Sequence, residues 1–69
     1  MTLTLERVTI PAWSTIGYAL GVDEHGRRVR FVSDHRPLRL LGEALAGADE
    51  PILVEMASWQ VLSIEEADR

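Results

Sequence analysis

The chain has 69 residues, of which 46% are hydrophobic and 26% charged, and it has no Cys and a formal net charge of −4. This length allows one domain, residues 1–69, near the lower limit at which a hydrophobic core alone stabilises a fold. The missing Cys excludes disulfides and thiolate metal sites. Since the sequence lacks an apolar run of roughly 18 residues and a signal-peptide pattern, we expect a cytoplasmic protein without membrane contact.

The first third of the chain alternates polar and apolar residues with the period of β-strands. Residues 2–10 keep this pattern except for a slip at Glu6 and Arg7, which predicts a strand with a β-bulge. Residues 15–22 alternate again and predict a second strand. The apolar residues of this strand are predicted to point inward and its small residues outward. The inward set is Ile16, Tyr18, Leu20 and Val22.

A turn at residues 23–26 leads to a third alternating segment, residues 27–32. Gly26 suits a turn position that needs a positive φ, so the second and third segments are predicted to pair as a hairpin. Val29 and Phe31 are predicted to point inward, opposite Arg28 and Arg30.

The pattern then changes to the period of a helix. Pro37 fits the first turn, Arg36 is expected just before the helix, and Gly47 suits the C-terminal cap. Ser33 or Asp34 is expected to cap the N-terminal end of this helix. The helical spacing is carried by Leu38, Leu41, Leu45 and Ala48. Residues 52–56 and 59–64 alternate once more and predict two final strands.

The predicted order is three strands, one helix and two strands. This mostly β, β-β-β-α-β-β order resembles a small five-stranded OB-fold, a Greek-key barrel. Gly17 and Gly21 are the small residues that would permit the strand coiling of such a barrel. An SH3-like barrel or a β-grasp arrangement is the alternative.

The sequence contains no constellation typical of catalysis. His25 and His35 lie in different segments without metal-ligand spacing, so we expect neither a metal site nor a cofactor. For the neighbours Asp34 and His35, a solvated pair at the helix entry is a better interpretation than a catalytic pair. We therefore predict a non-enzymatic protein.

The basic residues suggest a binding surface. All seven are Arg, a bias typical of a GC-rich bacterial or phage gene, and the segment 25–39 has a local net charge of +4 against −8 elsewhere. A local cationic surface binds a polyanion even when the whole molecule is acidic. The predicted phosphate contacts are Arg28 and Arg30, extended by Arg27, Arg36 and Arg39.

The resemblance to an OB-fold implies that the second and third strands form the ligand face. We therefore predict a binding module for single-stranded nucleic acid. Trp13 and Trp59 are candidates for base stacking or partner contact, although packing in the core is the better interpretation of each because Trp is mostly buried in proteins. The alternative function is a protein–protein interaction module, such as an adaptor, an inhibitor or a homodimer building block.

Overall fold

The fold is a five-stranded antiparallel sheet with one helix packed on one of its faces. The computed structural model describes residues 1–67. The strand order across the sheet is β4-β1-β2-β3-β5. The elements in chain order are β1 (Thr2–Thr9), β2 (Ile16–Val22), β3 (Arg28–Asp34), α1 (His35–Ala46), β4 (Leu53–Glu55), a 3₁₀ turn (Met56–Ser58) and β5 (Ser63–Glu66).

The mostly β architecture with a single helix is confirmed, including the β-β-β-α-β-β order. The sheet is open rather than closed. Within residues 1–67, β4 pairs only with β1 and β5 pairs only with β3, so the predicted barrel is not confirmed. No helix among these residues is long and apolar enough to cross a membrane.

Strand β1 changes phase at its middle, as the sequence predicts. Its pairing with β2 shifts between Leu5 and Arg7, which leaves Glu6 as the extra residue of a bulge. Because of this shift, Leu5 and Val8 both point towards the helix although they are an odd number of residues apart. Glu6 and Arg7 both remain on the opposite, uncovered side of the sheet.

The inward face of β2 is the reverse of the predicted one. Ala19 is fully buried and pairs directly with the buried Phe31 of β3, whereas Tyr18 and Leu20 lie on the other side. Residues directly opposite each other in a ladder share a face, so the hairpin register requires Ala19 to point inward once Phe31 does. The core is filled by large side chains from other elements: Leu3, Leu5, Val29, Phe31, Leu38, Val54 and Met56.

Helix α1 begins two residues earlier than predicted. Its first residue is His35, so Arg36 lies within the helix and Pro37 occupies the first turn. Asp34 takes the N-cap position but makes no side-chain cap hydrogen bond. Ser33 also does not cap the helix, because its buried hydroxyl donates to the carbonyl oxygen of Gln60 at 2.9 Å. Gly47 ends the helix as predicted.

The last strand, Ser63–Glu66, is shorter than the predicted segment 59–64 and lies further along the chain. Strand β5 begins only at Ser63, and the residues before it form an irregular connection after the 3₁₀ turn. Trp59 is half-buried in this connection and packs edge-on against Phe31, with ring centroids 5.5 Å apart. Trp59 therefore packs at the edge of the core.

Candidate binding surface

The face of the sheet opposite α1 is not covered by any other part of residues 1–67. We call it the open face and define it by the side chains that point away from the helix on the three inner strands. These are Thr2, Thr4, Glu6, Arg7 and Thr9 on β1, Ile16, Tyr18, Leu20 and Val22 on β2, and Arg28, Arg30, Val32 and Asp34 on β3.

Two predicted phosphate-binding residues lie on the open face. Arg28 and Arg30 are both exposed and lie two residues apart on β3, so both side chains project from the same side. Each guanidinium makes an ion pair. Arg28 Nε lies 3.3 Å from Glu6 Oε1, and Arg30 Nε donates to Glu65 Oε1 at 3.0 Å. The Glu65 hydrogen bond raises the pKa of Arg30, which therefore keeps its charge.

The same face carries an aromatic ring that the sequence pattern assigned to the core. The Arg30 guanidinium carbon lies 5.7 Å from the ring centroid of Tyr18, which is half-buried. This geometry is a cation–π contact between neighbouring strands. The open face thus brings Arg side chains and an aromatic ring together.

Arg7 joins this group although it lies outside the basic segment of the sequence. It pairs with Leu20 across β1 and β2, and it lines a groove with Glu6, Leu20 and Arg28. The bulge is the sequence signal that identifies it, because the phase shift after Glu6 determines the face on which Arg7 lies.

The other three predicted Arg residues lie elsewhere. Arg27 follows the hairpin turn and lines a groove with Val29 and Glu66, on the side of the sheet that carries the helix. Arg36 and Arg39 are exposed on α1. The five Arg residues of segment 25–39 therefore do not form one continuous surface.

The two Trp residues have different environments. Trp59 packs against Phe31, as the core interpretation predicts. Trp13 is fully exposed in the loop between β1 and β2, so the core interpretation is wrong for this residue. Its backbone φ is 65°, in the left-handed region that bulky residues rarely adopt.

The two His residues lie at opposite ends of the β2–β3 hairpin. His25 is exposed in the turn, whereas the His35 ring nitrogen Nδ1 lies 3.1 Å from the Thr15 carbonyl oxygen. Asp34 is exposed beside it. No three acidic or imidazole side chains of residues 1–67 are grouped as metal ligands.

No family model, curated protein or solved structure matches this chain.

Proposed function

We propose that the protein is a non-catalytic module that binds single-stranded nucleic acid on its open face. The observation that carries this proposal is the Arg30 guanidinium over the Tyr18 ring, with Arg28 and Arg7 on the same uncovered surface. Single-strand binders combine cationic side chains that follow the phosphates with aromatic rings that stack on bases. An OB-like use of the second and third strands is in keeping with this surface.

The ion pairs on the open face leave the two Arg residues available to a ligand. Both pairs are between exposed side chains, and water screens such pairs, so each contributes little to stability. A phosphate accepts the same charge-assisted hydrogen bonds as a carboxylate. Binding therefore requires phosphates to replace Glu6 and Glu65 as the ion-pair partners of Arg28 and Arg30. We expect the affinity for nucleic acid to be moderate and strongly dependent on salt.

The test is a fluorescence-polarisation titration of labelled oligo(dT) and oligo(U) at about 50 and 200 mM salt. We expect Arg28→Ala with Arg30→Ala to weaken binding at least about tenfold, because each lost contact is a charge-assisted hydrogen bond. The slope of log K against log salt should fall by about 1.4, since each phosphate contact on a single strand contributes about 0.7.

Arg27→Ala with Arg39→Ala is the matched control. It removes the same charge from exposed residues that lie away from the open face. An equal loss of affinity in both double variants would contradict the proposed face. Tyr18→Ala should weaken binding about 5- to 150-fold through lost stacking, while Tyr18→Phe should retain it.

A second candidate, self-association through the same face, is favoured by the apolar stripe along the central strand β2. Ile16 is exposed, and Tyr18, Leu20 and Val22 are half-buried, with no layer above them. The face carries both Arg and Glu side chains, so two copies can pair opposite charges across it. Sedimentation should then show a dimer that Leu20→Asp converts to a monomer, and oligonucleotide should compete with the dimer.

A further inference from the structure

We infer that Trp13 is a second stacking platform, which extends the nucleic-acid path beyond the open face to the loop between β1 and β2. This inference rests on the proposed function. Two unfavourable features coincide at Trp13. The indole is fully exposed to water, and the backbone lies in the left-handed region with φ of 65°.

The local turn explains why the conformation persists. The Ser14 N–H donates to the Pro11 carbonyl oxygen at 3.2 Å, which closes a four-residue turn with Trp13 in third position. A positive φ at this position is typical of a type II turn, where Gly is the usual residue. A bulky side chain there gains no packing that offsets the strain, because the indole has no contact with the core cluster.

The loop lies at the end of the open face nearest to Tyr18. Thr9, the last residue of β1, pairs with Tyr18, and the loop connects Thr9 to Ile16. At about 3.3 Å per residue, the seven residues of β2 cover on the order of 20 Å. A strand of nucleic acid that passes Arg28 and then Tyr18 therefore reaches this loop next.

The loop is also fixed to the rest of the molecule. The His35 N–H donates to the Thr15 carbonyl oxygen at 3.0 Å, which links the loop to the first residue of α1. The backbone that carries Trp13 is held in this way, so binding needs to order only the indole side chain. Every base has a π-face, so stacking on an indole does not require a particular sequence.

The experiment uses the two Trp residues as separate reporters in the full chain. With Trp59→Phe, Trp13 is the remaining fluorophore, and oligo(dT) should quench its emission. With Trp13→Phe, only the half-buried Trp59 remains, and the quenching should disappear while affinity is kept. Trp13→Ala should weaken binding about 5- to 150-fold, the usual effect of losing one stacked base.

Trp13→Gly distinguishes a binding role from a structural one. Gly adopts a positive φ without penalty, so the melting temperature should equal or exceed that of the wild type while affinity falls as in Trp13→Ala. Salt-dependent binding by the wild type with unchanged affinity of Trp13→Ala would overturn this inference and leave the open face intact. A wild type that binds no oligonucleotide at about 50 mM salt would overturn both proposals.

Discussion

At the scale of single residues, the hydrogen bonds of buried polar groups contribute more to stability than those of exposed ones. Ser33 is the buried polar residue of residues 1–67, and its hydroxyl satisfies the carbonyl oxygen of Gln60. This hydrogen bond attaches the irregular connection before β5 to strand β3. The bond is partly buried, because Ser33 is buried whereas Gln60 is exposed, and its loss should cost what a typical intramolecular hydrogen bond contributes.

We therefore expect Ser33→Ala to lower the free energy of unfolding by about 0.5–1.5 kcal/mol. Ser58→Ala is a matched control, because the Ser58 hydroxyl donates to the Glu55 carbonyl oxygen at the same 2.9 Å but is exposed. Its loss should cost less than about 0.5 kcal/mol. Urea denaturation followed by circular dichroism measures both values. Equal losses of stability in the two variants would show that the buried position of Ser33 does not increase the contribution of its hydrogen bond.

At the scale of elements, Gly17 determines how closely β1 approaches β2. A Cβ at this position would lie 2.6 Å from the Thr9 carbonyl oxygen and 3.0 Å from Ile10 Cγ1. Since the closest atom belongs to the backbone, the strand itself must move to accept a side chain. The close approach belongs to the same small-residue face of β2 that packs towards the core.

We expect Gly17→Ala to destabilise the fold by about 1–3 kcal/mol through overpacking. Gly42→Ala should have the opposite effect. A Cβ there would meet Val8 at an ordinary 3.6 Å, and Ala in the interior of α1 is favoured over Gly by up to about 1 kcal/mol. Thermal melts of the two variants provide the comparison, and a stabilised Gly17→Ala would contradict the described pairing of β1 with β2.

At the scale of the whole molecule, the carboxylates of Glu55 and Glu24 connect β4 and the β2–β3 turn to the start of β1. Glu55, at the end of β4, accepts from the Thr2 hydroxyl at 2.8 Å, from the Ala57 N–H at 3.2 Å and from the N-terminal ammonium at 3.3 Å. These bonds, led by that from Thr2, lower the pKa of Glu55 below its ordinary 4.5. A backbone hydrogen bond from Thr2 lowers the pKa of Glu24 in the β2–β3 turn in the same way.

A lowered pKa in the folded state means that the charged carboxylate favours folding. This contribution is complete above the ordinary pKa of 4.5 and is lost as the pH falls through the lower folded value. We expect Glu55→Gln to lower the urea midpoint near neutral pH and to reduce its decline towards about pH 3. Exposed Glu43→Gln on α1 is the control, and identical pH profiles for the two variants would contradict this role.

The sequence by itself determined much of the local structure. Alternation with a slip at Glu6 predicted a bulged strand, the turn before Arg27 predicted the hairpin, and the Leu spacing predicted one helix that Gly47 ends. These features depend on neighbours along the chain, so periodicity and turn chemistry are sufficient to identify them. The Trp59 packing was also predicted, since a large apolar side chain is usually buried.

The tertiary structure alone decided which face of β2 is covered. Alternation separates two faces but does not say which one meets the helix, and the apolar set Tyr18 and Leu20 indicated the wrong one. The hairpin register couples Ala19 to Phe31, and the large core side chains of other strands fill the space that Ala19 leaves. That single inversion moves Tyr18 beside Arg30 on an open surface and so creates the proposed site, because a face is defined by what packs against it.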